Sequence, residues 1–193
     1  MNKDIELIDH LKKTVGVPYN AINYKISSTK FSIDLLKYYN TPFKGCSSII
    51  TNGLGSIKIT QDNKEVIRFE LVMSFTDFKI NNQIENTILS ISKNVFLSHF
   101  KIKRGQVIQY GGNLFEKYKF VALFPTYPMY FSEKFENVLK IPDLNFIWLI
   151  PIFKEEVNFI KKIGWKKFEN ILINEEIDPF LIERTPVSIK NYT

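Results

Sequence analysis

The sequence predicts an α+β fold: a single mixed, largely antiparallel β-sheet with flanking helices. Three observations carry that expectation. Apolar residues alternate with polar ones from Asn20 to Ile26, from Phe31 to Leu35 and from Val66 to Phe75, the period of a half-buried strand. They recur every three or four positions from Asp4 to Val15 and from Asn82 to Phe100, the period of an amphipathic helix. Two further runs, Lys119 to Phe124 and Asn145 to Ile152, are apolar on both faces, as interior strands are.

Each element follows from its neighbours. In the first helix Ile5, Ile8 and Leu11 share a face. Glu6 and Asp9 stand early and Lys12-Lys13 late, as the helix dipole prefers, and Gly16 and Pro18 stop it. Ile22, Tyr24 and Ile26, the turn Ser27-Ser28-Thr29-Lys30, and Phe31, Ile33 and Leu35 read as a β-hairpin, broken by Asn40-Thr41-Pro42. A third strand is expected over Ser47–Thr51. After a glycine turn, Ile57 and Ile59 begin a fourth, and Gln61-Asp62-Asn63-Lys64 reverses the chain. The strand Val66–Phe75 is the clearest. Ile67, Phe69, Leu71, Met73 and Phe75 line one face, to be buried against helices, while Arg68, Glu70 and Ser74 line the other. The second helix carries Ile84, Ile88, Ile91, Val95 and His99 as its stripe. A strand at Gln106–Tyr110 leads to a Gly111-Gly112-Asn113 turn. Pro125, Pro128 and Pro142 mark an irregular excursion, and Pro151 closes the last strong strand. Lys154–Ile163 reads as a helix capped at Gly164, and Trp165, Phe168, Ile171 and Leu172 continue as another.

Composition narrows the class. At 193 residues, 45% hydrophobic and with 17 Phe, residues 1–193 are expected to form one domain with its own core. One cysteine, Cys46, allows no intramolecular disulfide and suits a reducing cytoplasm. The charged N-terminus does not resemble a signal peptide, and the longest apolar run, near Phe146 to Phe153, is too short to span a bilayer. A soluble, cytoplasmic protein is expected. The net charge of +6 is nearly all lysine, dispersed in singles and pairs; the arginines are Arg68, Arg104 and Arg184. Dispersed lysine reads as solvated surface rather than as a nucleic-acid footprint, which gathers Arg and aromatics on one element.

No catalytic, cofactor or metal motif is present. One cysteine and two distant histidines, His10 and His99, cannot build a Cys/His zinc site, and each histidine reads as packing or surface. In Gly53-Leu54-Gly55-Ser56 the third glycine of a dinucleotide fingerprint is replaced by Lys58, and no G-x-S-x-G elbow follows. The segment reads as a tight turn with Gly53 or Gly55 at positive φ. Arg68 and Glu70, at i and i+2 on one strand face, form the best polar constellation, either an ion pair or a contact patch. No spacing supports Glu70 and Glu156 as paired catalytic carboxylates.

Taken in order, Pro42-Phe43-Lys44-Gly45, Thr51-Asn52-Gly53-Leu54, Arg68-Phe69-Glu70-Leu71, Phe146 to Ile152, then Glu156, Phe159, Gly164 and Arg184 resemble the suppressor of fused-like family. The likeness covers most of the chain and is closest in flavour to the short, stand-alone bacterial branch. One departure stands out: the family's turn continues with serine after glycine-leucine, and here that place is Gly55, with Ser56 one later. The resemblance implies a suppressor of fused-like fold. It makes Gly53, Leu54, Arg68, Glu70, Pro151, Glu156, Gly164 and Arg184 family-motif positions, structural or partner-binding.

It also implies binding without catalysis, and no cofactor. Animal members are similar to a regulator that sequesters a transcription factor. Bacterial stand-alone members are similar to immunity proteins or antitoxins that neutralise a partner toxin, often a polymorphic one. The expected function is therefore immunity by binding a cognate toxin protein. The alternative is a basic nucleic-acid-binding or transcription-factor-sequestering regulator, which lysines gathered on one face would favour. Because nuclease inhibitors are often acidic, a +6 chain implies one of three things: a toxin that is not a nuclease, a locally acidic contact patch, or inhibition away from the active site.

Overall fold

In the computed structural model the period-two runs become strands and the helical-period runs become helices. The order is α1 (Lys3–Thr14), β1 (Asn20–Lys25), β2 (Ser32–Tyr39), β3 (Cys46–Asn52), a 3₁₀ turn (Leu54–Ser56), β4 (Ile59–Gln61), β5 (Glu65–Thr76), α2 (Asn82–Ser98), β6 (Ile108–Gln109), β7 (Phe120–Thr126), α3 (Glu133–Glu136), β8 (Leu144–Phe153), α4 (Lys154–Ile163) and α5 (Trp165–Asn174). The structure describes residues 3–26, 31–57, 59–61, 65–76, 79–138, 141, 143–174 and 177–187. The predicted turns at Ser27–Lys30 and Asp62–Lys64, the side chain of Ile67, and Pro142 lie outside what is described.

The sheet runs β1-β2-β3-β5-β8-β7-β6, with β4 paired to β5 off that path. Every pairing is antiparallel except β5 with β8, so the sheet is mixed and largely antiparallel, as expected. A parallel pair needs a long crossover. Here α2, β6, β7 and α3 supply it.

Both faces of the sheet are covered. On one side α2 brings Ile84, Ile88, Ile91 and Val95 onto Phe69, Leu71, Met73 and Phe75 of β5, with Ile49 of β3 and Leu149 of β8. On the other, α1, α3, α4 and α5 bring Leu7, Leu11, Phe135, Phe159 and Phe168 onto Val72, Phe124, Phe146 and Trp148. The odd-numbered side of β5 is thus buried against a helix, as its alternation predicts. The even-numbered side, read as a polar face, is buried too, because helices close that face as well. The Glu70 and Ser74 side chains there are accordingly paired, whereas Arg68 is half-buried and the buried Thr76 hydroxyl has no partner among the described residues. The Ser74 and Ser48 hydroxyls meet at 2.7 Å, and Ser48 donates to the Thr41 carbonyl at 2.6 Å.

Several boundaries differ from expectation. Ile57 follows the 3₁₀ turn instead of opening β4, and the strand expected at Gln106–Tyr110 is only Ile108–Gln109. His99 is not on the stripe of α2. The helix ends at Ser98, and His99 is its exposed left-handed cap, φ 48°. The prolines differ most. Pro125 lies inside β7 and Pro151 inside β8, paired with Leu149 and Leu123. Both stand where the outer neighbour has already ended. β5 pairs with β8 only as far as Trp148, and β6 pairs with β7 only at Ala122 and Leu123. No ladder donor is needed there, so proline is tolerated. The vacated edges are filled from outside the ladder: Arg184 Nη2 donates to the Pro151 carbonyl at 2.8 Å, and Gly105 N–H to the Pro125 carbonyl at 2.8 Å.

Candidate functional site

Most of the motif residues assemble into two buried clamps on the sheet; Arg68, half-buried on β5, stands outside both. The first closes the turn after β3. Gly53 has φ 128°, and a Cβ there would lie 2.7 Å from the Ser32 carbonyl oxygen, so the position needs glycine on both counts. Leu54 plugs the α2-side core. The turn then folds its backbone onto Glu70. Gly53 and Gly55 N–H groups donate to Glu70 Oε1 at 3.0 and 2.8 Å, and the Thr51 hydroxyl donates to Oε2 at 2.6 Å. Thr51 Oγ1 in turn accepts from Leu71 N–H at 2.8 Å.

Gly55, where the family pattern has serine, is pressed against this carboxylate. A Cβ would lie 3.2 Å from Glu70 Oε1 and 2.6 Å from Leu144 Cδ1. Ser56, one position on, is exposed and donates to the Gly53 carbonyl at 2.6 Å.

Arg68 and Glu70 do not form the ion pair the strand pattern allows. Among the described residues the ion pairs are Lys37–Glu85, Arg104–Glu169 and Arg184–Glu156. Side chains at i and i+2 on a strand stand roughly 7 Å apart, and Glu70 is already saturated by the turn. Burial pushes the Glu70 carboxyl up to about 7, against the pull of Thr51, Gly55 and Gly53. A carboxyl raised in the fold is favoured protonated. Its contribution is full below its ordinary value of 4.5 and fades as pH rises towards about 7. Relative to Glu70→Gln, which cannot ionise, the wild type should therefore lose about 2–3 kcal/mol between pH 5 and pH 8. Urea titrations of both proteins across that range check this. A flat difference would refute it.

The second clamp joins the end of β8 to the C-terminal segment. Glu156 accepts from Arg184 Nη1 at 2.6 Å and Nη2 at 2.9 Å, from Phe153 N–H at 2.9 Å and from Val187 N–H at 3.0 Å. It therefore caps the first turn of α4, pairs a guanidinium and holds the strap at Val187. Arg184 also lies over the rings of Phe153 and Phe120, at 4.9 and 5.4 Å. Gly164 ends α4 at φ 100°, its N–H on the Ile160 carbonyl at 2.9 Å. Glu70 and Glu156 each sit within their own clamp and share no partner.

Two ion pairs, one buried and one reaching the surface at Arg104, had no signal in the sequence. Lys37 donates to Glu85, which also accepts from the Tyr24 phenol at 3.4 Å. Arg104 grips Glu169 through Nε at 3.0 Å and Nη2 at 2.6 Å, and Thr126 donates to the same carboxylate. The partners lie 48 and 65 positions apart, beyond any local pattern. His10 donates through Nε2 to the Phe135 carbonyl at 2.8 Å and stacks on Phe146, a packing role. Burial pushes the Cys46 thiol up to about 12. Among the described residues no group of His, Cys, Asp and Glu is placed to hold a metal ion. No helix there is long and apolar enough to cross a membrane.

The family described as suppressor of fused protein (SUFU) matches residues 30–185 of this chain. The chain is similar to Immunity protein YqcF of Bacillus subtilis, 24% identical over 159 residues that cover 81% of this chain and 82% of that protein. Its fold is similar to the crystal structure of a suppressor of fused homologue from Neisseria gonorrhoeae, with TM-score 0.74, 14% identity and 95% of each chain covered. It is also similar to the crystal structure of the Sufu–Fu complex, with TM-score 0.68, 12% identity, and 96% of this chain and 92% of that chain covered.

Proposed function

The chain belongs to the suppressor of fused family, and from that premise we propose that it is an immunity-type protein, binding and neutralising a cognate toxin without catalysis. The likeness to Immunity protein YqcF over four-fifths of both chains carries the reading. The geometry supports a binding scaffold. The motif carboxylates Glu70 and Glu156 are spent on internal clamps, which leaves recognition to the exterior. The Sufu–Fu complex contains a protein of similar fold, which supports binding of a protein partner. We propose further that the toxin is encoded beside this chain and that the pair meets in the cytoplasm. The nucleic-acid reading stands second because the likeness is to an immunity protein. Charge geography does not separate the two, since the exposed lysines of α1, α4 and α5 lie on one side of the sheet and α2, on the other, carries only Lys93.

Co-expression tests the proposal. Cells producing the neighbouring toxin should survive only when this protein is present, and the two should co-purify with a salt-sensitive association rate. Survival without it would sink the immunity reading. Tight binding of plain DNA or RNA at physiological salt, with no protein partner, would put the alternative first.

A further inference from the structure

Resting on that reading, we propose that the toxin docks on a strip of exposed side chains running from Arg104 through Tyr127, Tyr130 and Ile173 to Leu181 and Phe43, and that the segment it presents is apolar with an acidic end seated at Arg104. The five apolar members are each between 38% and 50% exposed, far more than a core residue tolerates. Four of them are linked by contacts, and Leu181 follows Phe180 in the chain. Tyr130 and Phe43 both stand edge-on to the buried Phe180 ring at 5.0 Å. Ile173, Met129, Tyr130 and Pro179 border one small cavity, and Met129 N–H donates to the Tyr127 carbonyl at 2.9 Å. Tyr, Met and Arg are the types enriched where protein partners bind most strongly.

Charge selects the partner's chemistry. The Arg104 guanidinium lies 4.3 Å over the Tyr127 ring and 5.5 Å from Trp165, and Lys166 Nζ lies 5.7 Å from the same indole. Exposed Lys103 adjoins them. The carboxylate that answers Arg104 here is Glu169, bound through Nε and Nη2, which leaves Nη1 without a carboxylate on a side chain 37% exposed. Among the described residues Glu169 is the one carboxylate paired with this group of Arg104, Lys103 and Lys166, so an acidic group on the partner would add balancing charge. The far end is mixed: exposed Asp178 accepts from Phe180 N–H at 2.8 Å and exposed Glu183 follows, while exposed Lys44 adjoins Phe43. A nucleic acid would need cations along its whole track. A second copy carries the same +6 and is repelled at long range.

The test uses the full-length protein and, as probe, the neighbouring toxin in an inactivated form. Lys103→Glu with Lys166→Glu, and separately Tyr127→Ala, should each weaken binding at least tenfold with unchanged melting temperature. The loss in the double variant should shrink as salt is raised. Leu97→Asp, at a still more exposed position on α2 across the sheet, should bind as the wild type does. Strip variants that bind normally, or a Leu97→Asp protein weakened as much, overturn the proposal while leaving the immunity reading intact. A wild type that does not bind the toxin overturns both. Two other results overturn the docking proposal alone: a 30-base oligonucleotide bound through Lys103 and Lys166 while toxin binding is untouched, or a homodimer dissolved by Tyr127→Ala.

Discussion

Replacing Glu156 by alanine should destabilise the protein by about 3–5 kcal/mol, the range for breaking a buried ion pair from one side. Glu156 is fully buried and Arg184 is 8% exposed, so the guanidinium would be left in the interior with carbonyls and ring faces but no counter-charge. The same change frees the N–H groups of Phe153 and Val187, releasing the first turn of α4 and the C-terminal strap together. The double change Glu156→Ala with Arg184→Ala should cost less than the sum of the two single changes, because the stranded charge goes with its partner. Urea unfolding followed by the fluorescence of buried Trp148 measures all three. A single-variant loss below about 1 kcal/mol would mean that the clamp does not hold the strap.

Phe69→Ala should cost a similar amount, about 3–5 kcal/mol, through lost burial and the cavity left behind. Phe69 is 3% exposed and lies in the core that α2 shares with β5 and β3. Its loss should be insensitive to pH, because no titratable group is removed. Equilibrium unfolding at pH 5 and pH 8 checks this. A pH-dependent loss for Phe69→Ala would show instead that the variant disturbs Glu70, its neighbour on the opposite face.

Much of the fold was legible from period alone. The odd-numbered side of β5, the stripe of α2 through Val95, and the limits of α4 followed from residues within reach of one another along the chain. So did glycine at positive φ at Gly53, because strand patterns stop before it and resume after it. Pro125 and Pro151 were misread as strand breakers. Whether a proline is tolerated depends on whether a neighbouring strand needs its N–H, and that depends on where β5 and β6 end. The polar side of β5 was misread for a related reason. Alternation shows that Glu70 and Ser74 share a face, but not that helices from the far end of the chain will cover it.

What the sequence determined by itself, then, was local and periodic: strand and helix identity, the glycine turn, and an ordered set of motifs that marks the family. The tertiary structure alone decided what those motif residues do. Arg68 and Glu70 looked like one pair from their spacing, yet Glu70 belongs to Thr51, Gly53 and Gly55. Glu156 and Arg184, 28 positions apart, belong to each other. The physical reason is burial. In water such groups need no particular partner, whereas inside a closed face every donor and charge must find one, and only the packing of distant segments supplies it.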